Sequence, residues 1–184
     1  MDEEEEVLHR PEETRRGTVL ITGGNSGIGK ETAVALALRG ARVIIACRDV
    51  DKAEKAVREI KFKSRSLNVL HMELDLGNLR SVREFSKSFL QREKRLDILI
   101  NNAGMPSVLD WTDERLQACA SASPLRSVLP SRVITLTCST YKYQKLDFQD
   151  PELQPAALLH PTARSKLANI YFSQELAASQ KGRK

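Results

Sequence analysis

The sequence lacks the features that mark secreted, zinc-binding and membrane-spanning proteins. Its 184 residues include three cysteines, Cys47, Cys119 and Cys138. This odd number without Cys-x-x-Cys spacing indicates neither a disulfide framework nor a zinc site, so no metal is expected. No run of about 18 apolar residues predicts a membrane span, and the acidic start is unlike a secretory signal. We therefore expect a cytoplasmic protein.

Charge is abundant but unevenly distributed. Residues 1–13 carry seven acidic and one basic side chain, a net charge of −6, whereas the whole chain carries +5, which leaves +11 on residues 14–184. We predict that residues 1–16 form a disordered acidic tail and that residues 17–184 form one domain. The basic remainder can attract a nucleotide phosphate or anionic lipid. No nucleic-acid-binding motif accompanies it, so no nucleic-acid partner is expected.

A glycine-rich stretch at residues 22–29 follows the apolar run Val19–Ile21 and opens a helical pattern. Glycines at a strand-to-helix turn allow a pyrophosphate to approach the unpaired N–H groups of the helix. A glycine loop without a ligand is the alternative interpretation. The predicted phosphate-binding residues are Thr22, Gly23, Asn25, Ser26, Gly27, Ile28 and Gly29.

Strand and helix patterns alternate along the chain, which predicts a parallel sheet with right-handed crossovers. The predicted fold class is a Rossmann-type doubly wound α/β sheet, which we expect to be truncated after the helix that follows strand 5. The last strand would be an exposed apolar edge through which copies could pair. The predicted strands are 18–21, 42–47, 68–74, 96–101 and 132–137, and the predicted helices are 28–39, 51–61, 79–91, a short 113–120 and 161–181.

The spacing Thr-Gly-x-x-x-Gly-x-Gly at 22–29, with Asn102-Ala103-Gly104 after the fourth strand, resembles the short-chain dehydrogenase/reductase family. The segments 42–49 and 165–169 look like its retinol dehydrogenase branch, whose members reduce retinal and other lipophilic carbonyls. The resemblance implies that Asp75 and Leu76 contact the adenine, although Asp75 could also cap the helix 79–91. It further implies that Asn102 stabilises the central strand while Ala103 and Gly104 let the cofactor approach.

Arg48 follows the second strand, where an acidic residue would bind the ribose hydroxyl of NAD and an arginine can pair with the 2′-phosphate of NADP. The predicted cofactor is therefore NADP(H). A surface ion pair is the alternative role for Arg48, and the adjacent Asp49 can cap the next helix. Family members often carry a membrane anchor near the N-terminus, and none is recognisable in this sequence.

The catalytic motif departs from the family pattern. Ser165-Lys166-Leu167-Ala168-Asn169 makes Lys166 the lysine of the family's Tyr-x-x-x-Lys motif and places Thr162 where the tyrosine belongs. The family's serine position falls on Cys138, with Ser139 one residue later as a degraded substitute, and the family's relay asparagine has no counterpart. Tyr141 and Lys145 also fit Tyr-x-x-x-Lys literally, but no alanine-rich helix surrounds them, so we interpret them as exposed loop residues.

Three hypotheses follow for the function. The first is an NADP(H)-dependent oxidoreductase acting on a small lipophilic alcohol or carbonyl, impaired at Thr162. The second is an inactive NADP-binding protein, and the third is a shortened, poorly folded product of a longer family gene. The residues predicted to carry catalysis are Lys166 and Ser139.

Overall fold

The computed structural model describes residues 17–104, 132–143 and 160–180. The predicted tail and the predicted helix 113–120 lie outside these residues. The elements, in chain order, are β1 (Thr18–Thr22), α1 (Gly27–Leu38), β2 (Arg42–Cys47), α2 (Val50–Ser64), β3 (Val69–Glu73), α3 (Leu79–Arg92), β4 (Ile98–Asn101), β5 (Arg132–Thr135), a 3₁₀ helix (Ser139–Tyr143) and α4 (His160–Gln180).

Five parallel strands form one sheet in the order β3-β2-β1-β4-β5. Val19 is in register with Val43 of β2 on one side and with Ile98 of β4 on the other. The order reverses between β1 and β4, which is the topological switch point of a doubly wound fold. The predicted fold class is thus confirmed for the described residues.

The helices cover both faces of the sheet, as right-handed crossovers require. On one face, α1 and α2 pack apolar side chains such as Ala33 and Ile60 against Val43 and Ile45. On the other face, Phe85 and Phe89 of α3 pack against Leu20 and Ile44. Strands β1 and β2 are buried on both faces, which explains why their sequences are nearly continuous apolar runs.

Parallel strands give the sheet two chemically distinct edges. The turns after the strands, at 22–27, 47–50, 73–79 and 101–104, meet at what we call the carboxyl edge. The turns that lead from helices into strands, around 38–42, 64–69 and 92–98, meet at the amino edge. Two of these return turns use a left-handed residue, Gly40 and Arg65. Ligands of doubly wound folds bind at the carboxyl edge.

Strand β5 lies at the margin of the sheet among the described residues, as the sequence predicts. Its residue Ile134 is 39% exposed. A groove of about 380 Å³ runs between β5 and α4, lined by Thr135, Ile170 and Ser173 among others. No helix of the described part of the chain is long and apolar enough to cross a membrane.

Candidate functional site

The glycine turn after β1 has no room for a side chain at Gly23 or at Gly29. Gly23 adopts φ +66°, its N–H donates to the Ala46 carbonyl at 2.8 Å, and an added Cβ would lie 2.9 Å from the Cα of Ala103. A Cβ on Gly29 would overlap the Asn102 amide and lie 2.6 Å from the Gly23 carbonyl oxygen. Two of the predicted glycines are therefore required by close packing inside the protein, independently of any ligand.

The turn is fastened to the end of β4 by hydrogen bonds. The Asn102 side-chain amide donates to the carbonyls of Thr22, at 3.0 Å, and Gly23, at 3.2 Å. The Thr22 hydroxyl accepts from the backbone N–H groups of Asn102, at 3.1 Å, and Ala103, at 3.0 Å. The contact of Asn102 with the central strand, which the family resemblance implies, is present, and Thr22 is its partner.

Among α1, α2 and α3, which begin at this edge, only α1 lacks a side-chain cap. Asp49 accepts from the N–H of Lys52 in α2, and Asn78 accepts from the N–H groups of Arg80 and Ser81 in α3. At the start of α1, Ser26 makes no side-chain cap hydrogen bond, and the first turn contains no acidic residue. The N–H groups of α1 thus remain available to an anion, which the helix dipole would also favour.

Arg48 and Asp49 have different surroundings at the end of β2. Asp49 caps α2 and forms an ion pair with Lys52 at 2.8 Å, so the predicted capping role is present. The hydrogen bond from Lys52 lowers the pKa of Asp49. Arg48 is exposed, and it forms no ion pair within the described residues. Its guanidinium is accessible at the carboxyl edge.

Asp75 does not cap α3, so that alternative is wrong. Its carboxylate instead accepts from the N–H of Gly77 at 2.9 Å, and Asn78 supplies the cap. The physical reason is spacing, because the residue directly before the helix can reach the N–H groups of the first turn. Asp75 and the half-buried Leu76 stay at the carboxyl edge, where the resemblance places the adenine.

Lys166 lies beside the Asn102-Ala103-Gly104 segment. A Cβ on Gly104 would be 3.3 Å from Lys166 Nζ, and Nζ donates to the Leu136 carbonyl at 3.3 Å. Asn169, three residues later, donates to the same carbonyl at 3.0 Å. Residues three apart share a helix face. The sequence motif includes Asn169 but does not predict that its side chain fastens α4 to the Leu136 carbonyl beside Lys166.

The serine position follows a strand that is shorter than predicted. Strand β5 ends at Thr135, so Cys138 and Ser139 lie beyond it, and both are exposed. Because no strand continues through them, strand alternation does not decide which of the two side chains faces the site. Ser139 begins the 3₁₀ helix, which packs against α4, the helix that carries Lys166.

Tyr141 is half-buried in that 3₁₀ helix rather than in an exposed loop, which corrects the interpretation of this residue. Its backbone N–H donates to the Cys138 carbonyl at 3.2 Å. Lys145 lies outside the described residues. Position 162 falls within α4, four residues before Lys166, as the motif register requires.

Asn101 is a further polar residue that sequence reasoning missed. It is 9% exposed and lines a cleft together with Thr22, Leu76, Ala103 and Asn169. Its side-chain nitrogen has no hydrogen-bond partner in the parts of the chain that the structure describes. A buried donor without a partner is uncommon in folded proteins. The signal available in the sequence was a second asparagine directly before Asn102.

Cys47 ends β2 close to the same edge. Burial, with a smaller contribution from the nearby Asp49 charge, raises the pKa of its thiol to about 11. A neutral thiol of this kind is inert as a nucleophile. Within residues 17–104, 132–143 and 160–180, no cluster of histidine, cysteine or carboxylate side chains could hold a metal ion.

The sheet order and the glycine turn define a Rossmann-type α/β protein with its switch point beside α1. The family model for short chain dehydrogenase matches residues 17–125, and the chain belongs to this family. It is 36% identical over 181 residues to retinol dehydrogenase 13 from Homo sapiens, covering 90% of this chain and 55% of that protein. The chain spans about half the length of the curated relatives it matches.

Solved structures give the same result. A putative uncharacterized protein from Mycobacterium paratuberculosis aligns with a TM-score of 0.72 and 32% identity, covering 90% of this chain and 63% of that one. The RhlG active-site complex with NADP from Pseudomonas aeruginosa aligns with a TM-score of 0.66 and 25% identity, covering 90% of this chain and 68% of that one. The predicted family, and its retinol dehydrogenase-like branch, are confirmed.

Proposed function

We propose that the chain binds NADP(H) at the carboxyl edge and is an oxidoreductase for a small lipophilic alcohol or carbonyl, with impaired proton transfer. The observation that carries the proposal is the first turn of α1, which has no side-chain cap and no acidic residue. A pyrophosphate carries the charge and the acceptors that this turn would satisfy.

The preference for NADP(H) over NAD(H) is proposed from Arg48. An exposed guanidinium after β2 can pair with a 2′-phosphate through two parallel hydrogen bonds. Asp49, the acidic residue that could instead bind a ribose hydroxyl, is engaged by Lys52 and by the start of α2. The NADP complex of the structural relative supports this assignment.

The remaining residues of the edge suit the rest of the cofactor. Asp75 and Leu76 would hold the adenine end, while Ala103 and Gly104 leave space beside Lys166 for the nicotinamide ribose. When bound, the nicotinamide supplies a hydride acceptor or donor. The Lys166 ammonium carries three donors, so it can bind ribose hydroxyls while keeping its bond to Leu136.

Impairment is proposed from position 162. A phenol titrates near pH ~10, whereas an aliphatic hydroxyl behaves like water and has a far higher pKa. Threonine is also shorter than tyrosine, so Thr162 cannot take over the proton transfer that the family assigns to this position. Losing general acid–base catalysis lowers a rate by roughly 10² to 10⁴-fold.

Thermal unfolding of the purified chain alone, with NADPH and with NADH tests cofactor binding. A ligand at 100 times its dissociation constant adds about 2.7 kcal/mol of stability. We expect NADPH to raise the midpoint more than NADH, and Arg48→Ala to remove the difference between them. A cooperative transition that neither nucleotide shifts would contradict the proposal, and no transition at all would support the poorly folded product.

Turnover separates the enzyme from the second candidate, an NADP-binding protein without activity, which the threonine at 162 favours. We expect Thr162→Tyr to raise retinal reduction by about 10²-fold or more. The matched control is the double variant T162Y/K166A, which should lose that gain. NADPH binding with no turnover in either the natural chain or Thr162→Tyr would establish the non-enzymatic function.

A further inference from the structure

We propose that the amino edge of the sheet, opposite the cofactor site, docks onto an anionic phospholipid surface. The docking surface consists of the turns 38–42, 61–67 and 92–97. We call it the basic edge. The proposal does not depend on the function proposed above, because no residue of the basic edge belongs to the carboxyl edge.

Large apolar side chains project from the basic edge into solvent. Phe62 is 86% exposed, Leu67 is 85% exposed and Leu38 is 60% exposed. Phe62 and Leu67 stand on either side of the turn between α2 and β3, and Leu38 ends α1 at the neighbouring turn. Two neighbouring return turns therefore carry exposed apolar residues with no described element packed over them.

The same turns are strongly basic. They contain eight basic residues and two acidic ones, so their net charge is +6. Both acidic residues are already engaged: Glu93 pairs with Arg42 at 2.7 Å, and Asp97 pairs with Arg95. Lys63 pairs with Glu31, whereas Lys61, Arg65, Arg92 and Lys94 form no ion pair within the described residues.

This charge cannot be explained by the nucleotide, because the cofactor site lies at the other end of the strands. The turns of the carboxyl edge contain Arg48 but also Asp49, Glu73 and Asp75. Most of the positive charge of the described sheet turns is therefore on the face that a phosphate of the cofactor never reaches. The basic edge is therefore available to a second anionic partner.

Backbone hydrogen bonds hold the basic edge in place. The Arg42 N–H donates to Gly17, the Val43 N–H to Asn68, and the Asp97 N–H to Thr18. The apolar residues are thus presented on short turns fixed to the sheet. Little ordering entropy is lost when such a surface binds.

The combination of basic and exposed apolar side chains favours a lipid bilayer over other anionic partners. Anionic headgroups attract lysine and arginine, each worth about 1 kcal/mol near the surface. Phenylalanine and leucine enter the boundary between headgroups and acyl chains. A nucleic-acid backbone would satisfy the charge but would give Leu38 and Leu67 no apolar environment. Docking this way leaves the carboxyl edge facing away from the membrane.

The test is sedimentation of the full chain with vesicles of phosphatidylcholine, with and without about 30% phosphatidylserine. We expect binding to the anionic vesicles that weakens with added salt. Phe62→Ser with Leu67→Ser should weaken it at least about tenfold. Lys61→Glu with Lys94→Glu should weaken it about 25-fold or more. Arg65 is left unchanged because its backbone is left-handed, so a substitution there could change the stability of the fold as well as the charge.

The controls use exposed residues of the same chemical type outside the basic edge. Tyr171→Ser changes an exposed residue of α4, and Lys55→Glu with Lys87→Glu makes the same charge change in the middle of α2 and α3. Equal binding to neutral and anionic vesicles would overturn the proposal. So would controls that weaken binding as much as the test variants. Loss on charge reversal with no loss from Phe62→Ser and Leu67→Ser would indicate a purely anionic partner and would also overturn it.

Discussion

The two edges of the sheet are built from the same kind of connection but differ in composition. The turns at the carboxyl edge contain glycine and small polar residues, with an uncapped helix start. The turns at the amino edge contain lysine, arginine and exposed apolar side chains. At the carboxyl edge backbone N–H groups are accessible, whereas at the amino edge basic and apolar side chains are exposed.

This difference teaches that a basic protein need not bind its phosphate with basic residues. The net charge of +5 suggests attraction for a nucleotide, yet Arg48 is the only arginine or lysine in the turns 22–27, 47–50, 73–79 and 101–104. Backbone N–H groups and a helix dipole can hold a pyrophosphate without any cation. The basic side chains of the amino edge are therefore available to bind a different partner.

The largest expected effect is on the carboxyl edge. Gly29→Ala should lower the free energy of unfolding by about 3 kcal/mol, because the methyl group overlaps the Asn102 amide and the Gly23 carbonyl. Gly27→Ala is the matched control: φ is +54° there but no atom lies within 4 Å, so about 1 kcal/mol of strain is expected. Urea unfolding measures both, and equal losses would contradict the close packing described for Gly29.

At the amino edge, the Arg42–Glu93 pair should matter next. Arg42→Met leaves the nearly buried Glu93 carboxylate without its partner, and we expect a loss of about 2 kcal/mol. Arg80→Met removes an exposed ion pair with Glu84 and should cost less than about 0.5 kcal/mol. Unfolding in urea at one salt concentration compares the two. A small effect at Arg42 would mean that water reaches Glu93.

Cys47, which lies at the carboxyl edge, should make the free energy of unfolding depend on pH in the alkaline range. Its pKa is raised from 9.0 to about 11 in the folded state, so its contribution is complete below pH 9 and declines as pH rises towards 11. The loss should reach about 2 kcal/mol by pH 10.5. Cys47→Ala should be less sensitive over this interval, as measured by urea unfolding at each pH. Parallel pH profiles for the two proteins would contradict the assignment.

The smallest effect contrasts two helix starts at the carboxyl edge. Asn78→Ala removes the cap of α3 and should cost about 1 kcal/mol. Ser26→Ala should change the stability of the nucleotide-free chain by less than about 0.5 kcal/mol, because Ser26 makes no cap bond. Thermal unfolding without nucleotide distinguishes them, and a comparable loss from Ser26→Ala would show that α1 is capped after all.

The sequence predicts the central strands well because burial on both faces leaves a continuous apolar run. Strand β2 is found at the predicted residues, 42–47. The helix α2 runs three residues beyond the predicted Lys61, to Ser64. Its last turn carries two lysines, a serine and an exposed phenylalanine, so apolar periodicity does not mark it. The helix ends where Arg65 adopts a left-handed conformation. Arginine is not a residue that favours this conformation, so the sequence does not predict the end of the helix here.

Spacing predicts the candidate site residues but not their contacts. Asn102, Lys166 and the glycines lie together at the carboxyl edge, whereas the cap that Asp75 was a candidate to provide for α3 is provided by Asn78. The basic edge could not be found from composition. Its residues come from three separate turns that only the sheet topology brings to one side.

The hydrogen bonds between Asn102 and the glycine turn join residues about 80 positions apart in the chain. Closing so long a loop is entropically unfavourable, and contacts of this range form late in folding. The turn at residues 22–29 cannot acquire its final shape until β4 has paired with β1. During synthesis, the ability to capture a nucleotide should therefore arise only after residue 104 has left the ribosome, even though the glycines emerge first.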